Sequence, residues 1–180
     1  MTSTARFEKS VLPHLDAAYN LARWLTRDDQ DAQDVVQEAY LRAFRYFHAL
    51  RGEDARAWLL AIVRNTGYAW LQSNRPAEVV ALDDAGAVPA DAESAGHMAP
   101  ADGNPEVILL QSVNRKLVNQ ALEDLPVAYR EVLVLRELED LSYKEIASIA
   151  GVPLGTVMSR LARGRELLRR LLETRMRKAS

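Results

Sequence analysis

The sequence predicts an all-α protein made of two small helical domains joined by a flexible acidic linker, with a helix-turn-helix ending the second domain. Three observations lead to this fold class. Apolar residues recur at helical spacing on both sides of a central segment, and no alternating strand pattern is found in the 180 residues. The central segment, residues 76–106, is rich in Ala, Pro, Gly and Asp and has no Lys or Arg. A capped helix, a turn glycine and an arginine-bearing helix follow near the C-terminus. We therefore place the two domains at residues 1–75 and 107–180.

Three helices are expected in the first domain, where they can form a small bundle. The first runs from about Val11 to Arg27, the second from the acidic residues 28–34 to about Phe47, and the third from about Ala55 to Ser73. The carboxylates that start the second helix suit the positive end of a helix dipole. Pro76 is expected to end the third segment. The inward stripe of the second helix is predicted to comprise Val35, Val36, Ala39, Ala43, Phe44 and Phe47.

The second domain is predicted to begin with a helix from about Val107 to Leu122, and Pro126 is expected to open the next one. Two further helices follow. Ser142 is a good N-cap, and Glu145 stands three residues later, as a capping box requires. Gly151 supplies the backbone freedom that a sharp reversal after this helix needs.

The last helix begins at about Pro153, which suits a first helical turn. In a helix-turn-helix, the N-terminal part of this second helix meets base edges, while residues further along hold the DNA backbone. The alternative is an ordinary solvated face, although such a helix requires neither the capping box nor the turn glycine. Gly164 costs about 1 kcal/mol inside the helix relative to alanine, and it either permits close approach to DNA or has no role. The side chains that can reach bases and phosphates include Thr156, Ser159, Arg160, Arg163 and Arg165.

Composition excludes several classes of function. The chain has no cysteine, so disulfides and thiolate metal sites are excluded, and the histidines at positions 14, 48 and 97 form no ligand cluster. No phosphate loop or nucleophile-base pair is found, so we expect no catalytic residue, metal or cofactor. The N-terminus lacks a signal-peptide pattern, and no run approaches the roughly 20 apolar residues of a membrane span. A soluble cytoplasmic protein without membrane insertion is expected.

The net charge of −2 conceals a strong asymmetry. From Val152 to the C-terminus there are eight basic residues and two acidic ones, which indicates a cationic surface suited to nucleic acid. Residues 76–106 contain seven acidic residues instead. This linker is either an inert tether or an extended acidic strand that occupies a groove built for nucleic acid.

With both halves in view, the chain resembles a bacterial sigma factor of the extracytoplasmic-function (ECF) group over nearly every residue outside the linker. DAQDVVQEAYLRAF, residues 31–44, is similar to region 2.2 of that family, and LRGEDARAWLLAIVRN, residues 50–65, is similar to regions 2.3 and 2.4. Residues 122–168 are similar to region 4. Each block alone is moderately specific, but their order, with a linker between them, is a strong indication.

The resemblance implies a dissociable subunit of RNA polymerase that selects promoters and performs no chemistry of its own. The first domain would bind the clamp helices of the largest core subunit through a surface that holds Asp34, Gln37, Glu38 and Arg42. The linker would run towards the RNA exit channel, where growing transcript helps to displace it. ECF relatives are commonly restrained by an anti-sigma factor, so such a partner is expected by analogy.

The same resemblance implies two DNA sites. The first domain would open the minus-10 element and hold a flipped base with Asn65, since an unstacked base needs amide or backbone hydrogen bonds to its edge. A neighbouring specificity loop would comprise Leu50, Arg51, Gly52 and Glu53, and Arg56 and Arg64 would be available for phosphates. The second domain would read the minus-35 element, where the family's contacts map onto Met158, Ser159, Ala162 and Arg163. Many relatives carry Lys or Arg in place of Met158 and a larger polar or aromatic residue in place of Ala162, so Ser159 and Arg163 are the stronger candidates.

Two other classes of function stay open at this point. One is a one-component transcription regulator with a helix-turn-helix output, although the first domain shows neither a ligand-pocket pattern nor a heptad seam. Binding to promoter DNA without core polymerase would be its signature. The other is an enzyme that acts on nucleic acid, for which the sequence offers no catalytic motif.

Overall fold

Helices account for the fold. The computed structural model describes residues 2–52, 54–80 and 105–180, and its described residues contain no strand, which confirms the all-α prediction. Most of the predicted linker, residues 81–104, and Glu53 of the predicted specificity loop lie outside the described residues. The helices are α1 Ser3–Val11, α2 Leu15–Thr26, α3 Asp29–Tyr46, α4 Ala55–Asn74, α5 Pro76–Val80, α6 Pro105–Asp124, α7 Val127–Leu133, α8 Tyr143–Ala150 and α9 Leu154–Ala179. Short 3-10 turns occupy Leu12–His14 and Phe47–Ala49, and a π-helical turn, Val134–Leu138, continues α7.

The first half begins with a helix that the sequence prediction missed. The hydroxyl of Thr2 accepts a hydrogen bond from the amide three residues later at 3.2 Å, so α1 is capped, and its buried face is Phe7 and Val11. Three aromatic rings meet Phe7 edge-on at centroid distances of 5.1 to 5.3 Å. The chain then turns through Leu12–His14, and the helix expected from Val11 starts only at Leu15. Thr2 followed by Phe7 and Val11 at helical spacing is the pattern that could have identified α1.

Helices α2, α3 and α4 pack against one another and form most of the core of the first half. Gly67 brings α4 close to α2, since a Cβ atom built on it would lie 2.8 Å from Cδ1 of Leu25. The expectation that Pro76 ends the third segment is confirmed, since α4 stops at Asn74. The residue before a proline is pushed out of helical geometry, so Arg75 interrupts the chain with φ −144° and ψ 63°, and Pro76 then opens the short helix α5.

The two halves are in contact, a feature that the sequence prediction did not include. α4 packs against α8 and α2 against α7, and buried apolar residues of both halves form one cluster. Arg130 of α7 is buried at this boundary, where it donates hydrogen bonds to the carbonyl oxygens of Leu125 at 2.8 Å and Leu25 at 3.4 Å. Burial lowers the pKa of Arg130 to about 10, so its charge is held there against a desolvation penalty.

Candidate nucleic-acid interface

The predicted helix-turn-helix is formed by α8 and α9. Ser142 caps α8 by accepting a hydrogen bond from the Glu145 amide at 3.1 Å, while its hydroxyl donates to the Glu145 carboxylate at 3.1 Å. The carboxylate therefore bonds the hydroxyl rather than the cap's amide, so one half of the predicted capping box is present. Gly151 ends α8 in the left-handed conformation, with φ +66°. Pro153 lies at the N-cap of α9 rather than inside its first turn.

The N-terminal half of α9 buries one face and leaves the predicted reading face accessible. Val157 and Leu161 are buried, whereas Met158 is 37% exposed. The Ser159 hydroxyl donates to the carbonyl of Thr156 at 3.1 Å and so stays close to the helix backbone. The remaining predicted contacts are half-buried: Thr156, Ser159, Arg160, Ala162, Arg163 and Arg165.

The arginines of α9 differ in their partners. Arg165 forms an ion pair with Glu137 at 3.0 Å; burial lowers the pKa of Arg165, but its hydrogen bond to Glu137 outweighs this, and the pKa is raised overall. Arg170, further along, pairs with Glu166 one turn earlier at 3.1 Å and is well exposed. Among the residues that the structure describes, Arg160 and Arg163 form no ion pair. These two side chains are therefore the cations of the reading face that need not break a salt bridge to meet DNA.

Gly164 has a packing role, which corrects the two readings that the sequence left open. The residue is buried, and a Cβ atom built on it would lie 3.2 Å from Cδ1 of Leu133 and 3.4 Å from Cβ of Tyr129. Both neighbours belong to α7. The glycine therefore permits close contact between α7 and α9 rather than close approach to DNA. Its unfavourable helix propensity is offset by this packing in the domain core.

The predicted minus-10 residues gather on α4 and the loop before it. Asp54 caps α4 by accepting a hydrogen bond from the Arg56 amide at 3.0 Å. In the loop, Leu50 is extended, Arg51 is exposed, and Gly52 has φ +61°, which a side chain would strain. Asn65 is exposed in the middle of α4. Arg51, Gly52 and Asn65 are thus accessible to solvent.

Arg56 and Arg64 are not open in the same way, because acidic residues of the second half hold both. Arg64 Nε donates to Oε1 of Glu131 at 2.7 Å, and the other carboxylate oxygen accepts from the Tyr68 hydroxyl at 2.7 Å. The Arg64 guanidinium also lies 3.8 Å from the centre of the Tyr68 ring. Arg56 Nη2 donates to Oε2 of Glu139 at 3.1 Å. Sequence reasoning missed Glu131 and Glu139, because only the tertiary structure brings them to α4. It also missed Tyr68, which lies on α4 itself but finds its partner only in Glu131.

The pKa shifts describe this network. Burial disfavours the charged form of Arg64, but the Glu131 carboxylate more than compensates, and the pKa of Arg64 is raised. Burial and the same carboxylate raise the pKa of Tyr68, so its hydroxyl keeps its proton and remains a donor. Glu131 is fully buried, so the carboxylate depends on these two donors for its hydrogen bonds.

The predicted polymerase-binding residues lie together on the outer face of α3. Asp34, Gln37 and Glu38 are exposed, and Arg42 pairs with Glu38 at 2.9 Å. Two apolar side chains accompany them, since Leu41 and Phe44 are about half exposed. Phe44 was expected to face inward; its ring packs against Phe7 in a T-shaped arrangement at a centroid distance of 5.1 Å, yet the residue remains 49% exposed on this surface. The face is therefore mixed polar and apolar, a composition compatible with a protein interface.

The part of the chain that the structure describes holds no group of His, Cys, Asp and Glu residues able to bind a metal ion. None of its described helices has both the length and the apolar character needed to cross a bilayer.

Comparison with known proteins identifies the family. The model of the sigma-70 region 2 family matches residues 11–76, and that of sigma-70 region 4 matches residues 115–168. The ECF RNA polymerase sigma-E factor of Escherichia coli K12 is 39% identical over 141 residues, which cover 77% of this chain and 72% of the relative. This chain belongs to the ECF sigma factors. The RNA polymerase sigma-H factor of Pseudomonas aeruginosa is 34% identical over 176 residues, 96% of this chain and 89% of the relative.

Solved structures agree with this assignment. The sigma factor RpoE of Bartonella quintana, in complex with the anti-sigma factor NepR, superposes with a TM-score of 0.67 at 26% identity, covering 93% of this chain and 97% of RpoE. CnrH, in complex with the cytosolic domain of CnrY, shares the fold with a TM-score of 0.64 at 23% identity, covering 95% and 90% of the two chains.

Family membership decides the function. An ECF sigma factor binds core RNA polymerase, directs it to specific promoters and helps to open the minus-10 element, and it is not an enzyme. The region 2 match over the first half leaves no place there for the sensing domain of a one-component regulator. The sigma factor prediction is therefore confirmed at the level of the family.

Proposed function

We propose that α9 reads the minus-35 element, with Ser159 and Arg163 as its main base contacts. The helix-turn-helix geometry and the free cations on the accessible face of α9 support this assignment. A bidentate contact from Arg163 to a guanine contributes roughly 1 to 3 kcal/mol of discrimination. Thr156, Met158, Arg160, Ala162 and Arg165 are the flanking contacts.

The first half binds and opens the minus-10 element. Asn65 bonds the edge of a flipped base, and Leu50, Arg51, Gly52 and Glu53 form the loop that selects it. Arg56 and Arg64 hold phosphates of the non-template strand. The exposure of Asn65 and the open geometry of the Gly52 loop support this assignment.

The outer face of α3 binds core polymerase. On this face, the residues that contact the clamp helices of the largest subunit are Asp34, Gln37, Glu38 and Arg42. The mixed apolar and polar character of this face supports the assignment. Residues 1–75 and 107–180 act as two domains, with the acidic residues 76–106 as their linker. The protein works in the cytoplasm, where polymerase and DNA are found.

An anti-sigma factor is the further partner. RpoE of Bartonella quintana is bound to such a protein, and its fold covers almost all of this chain. Because RpoE is 26% identical, the resemblance supports the class of partner rather than its identity.

The presence of both DNA-facing halves in one chain, in the order region 2 then region 4, carries this function. Run-off transcription with purified core enzyme on genomic fragments tests it. We expect transcripts with discrete start sites only when the protein is present, with core enzyme alone as the control. Failure of the protein to associate with core enzyme in the absence of any inhibitor would contradict the proposal.

A further inference from the structure

The reading face of α9 carries an apolar row beside its polar contacts. Leu154, Met158 and Ala162 follow one another at intervals of four residues, so their side chains lie along one side of the helix. Leu154 is 43% and Met158 37% exposed, and Ala162 is half-buried. The hydrophobic core of the described residues includes none of the three, although it includes Val157 and Leu161 of the same helix. Packing within the described part of the chain therefore does not account for this apolar row.

A polar row runs parallel to the apolar one. Ser159 and Arg163 each follow a member of the apolar row by one residue, which places them about 100° further round the helix. Each row covers about 6 Å along the helix axis, from a rise of about 1.5 Å per residue. Because base pairs follow one another at about 3.4 Å, this length matches about two base pairs of a major groove. The two rows therefore present an apolar edge and a hydrogen-bonding edge to the same few base pairs.

The major groove offers one base group that suits an apolar edge. This group is the 5-methyl of thymine, which small apolar side chains such as alanine recognise by direct contact. The unbranched thioether side chain of Met158 adapts its shape to such a surface. Guanine or cytosine at the same position would lose hydrogen bonds to water and gain none from Met158 or Ala162 in return. The apolar row therefore favours thymine and disfavours the bases that present only hydrogen-bonding groups in the groove.

We propose that Met158 and Ala162 select thymine in the minus-35 element, through contact with 5-methyl groups within about two base pairs of the guanine that Arg163 reads. This inference rests on the proposed function, specifically on α9 as the reader of the minus-35 element. Ser159 and Arg163 supply the hydrogen-bonded part of the recognition, and Met158 and Ala162 supply the apolar part. Leu154 extends the apolar surface by one turn towards the start of α9.

The test uses holoenzyme, formed from the full chain and core polymerase, with a promoter selected from a library whose minus-35 region is randomised. Each thymine of the selected element is then replaced singly by deoxyuridine, which removes the methyl group and keeps every hydrogen-bonding group of the base. Equilibrium affinity is measured at one salt concentration for wild type, Met158→Ala, Ala162→Gln and Met176→Ala. Met176 is the matched control, since it is a methionine of the same helix that is 57% exposed near the C-terminal end of α9.

We expect wild type to select thymine beside the guanine that depends on Arg163. One deoxyuridine replacement there should weaken binding about fourfold, the factor expected for loss of one buried methyl group. Met158→Ala should bind the thymine promoter more weakly and lose no further affinity at one of these replacements, because the partner of the methyl group is already absent. Ala162→Gln should show the same insensitivity at a neighbouring thymine, and it keeps the test decisive if Met158→Ala fails to fold by circular dichroism. Met176→Ala should match wild type.

Two results would overturn the inference. Equal losses with all four proteins would assign the methyl effect to the shape of the DNA rather than to contact with α9. Loss of core association by Met158→Ala would assign the apolar row to a protein contact instead.

The two proposals fail in different ways. If holoenzyme selects no minus-35 sequence, or if Arg163→Ala leaves the selected sequence unchanged, the assignment of α9 to this element fails. If a guanine that depends on Arg163 is selected without a thymine beside it, or if deoxyuridine is tolerated, only thymine selection by Met158 and Ala162 is overturned.

Discussion

Replacing Gly164 with valine tests whether this glycine serves packing within the second half. A Cβ atom at this position would already stand 3.2 Å from Leu133, so the two further methyl groups of valine have no room between α7 and α9. Overpacking of this kind costs about 1 to 3 kcal/mol. The better helix propensity of valine over glycine returns only a few tenths, roughly 0.4 kcal/mol. We therefore expect Gly164→Val to lower the free energy of unfolding by about 1 to 3 kcal/mol.

Thermal and urea denaturation followed by circular dichroism measure the effect. For a chain of this size, each kcal/mol corresponds to roughly 2 to 4 °C in the melting midpoint. Gly155→Val is the matched control in the same helix, because no atom lies within 4 Å of a Cβ atom built on Gly155, and it should stay within about 0.5 kcal/mol of wild type. A Gly164→Val protein that melts with wild type but no longer binds promoter DNA as holoenzyme would refute the packing role.

Two substitutions probe the proposed DNA contacts. Arg163→Ala should weaken holoenzyme binding to its preferred minus-35 sequence by about 5-fold to 150-fold, from the 1 to 3 kcal/mol of a bidentate guanine contact, while core association measured by co-purification is unchanged. The control Arg170→Ala should weaken binding to all sequences alike, and an equal loss in both variants would argue against base reading by Arg163. Asn65→Ala should leave core binding intact and reduce permanganate reactivity of the minus-10 thymines, whereas full reactivity would exclude its role in capturing a base.

The helices that the sequence predicts well are those whose ends are specified locally. α8 begins after Ser142 and ends at Gly151 as expected, because a cap and a left-handed turn depend on residues close in sequence. α1 was missed because its partners are distant in sequence: aromatic residues of α3 and of the turn after it surround Phe7, and α4 also contacts the helix. Phe44 was misplaced for a related reason, since helical spacing does not show that one ring can line the core and a surface at once.

The division of α9 into a buried and an outward face was predictable in the same local way, since buried and outward positions alternate with helical period. The packing role of Gly164 was not predictable, because its neighbours Leu133 and Tyr129 lie on α7, about 30 residues earlier in the chain. The sequence of α9 alone does not indicate these contacts. A glycine in a recognition helix is therefore ambiguous from sequence, and the position of the helix behind it decides its role.

The ion pairs between the two halves could not be predicted from sequence patterns. Arg64 and Glu131 are 67 residues apart, and each belongs to a motif that is complete without the other. The sequence assigns Arg64 to DNA because a cation beside a base-pocket asparagine suits a phosphate, and the structure places a carboxylate on the same guanidinium. Burying a carboxylate carries a large desolvation penalty, which is offset only if the surrounding donors form good hydrogen bonds with it.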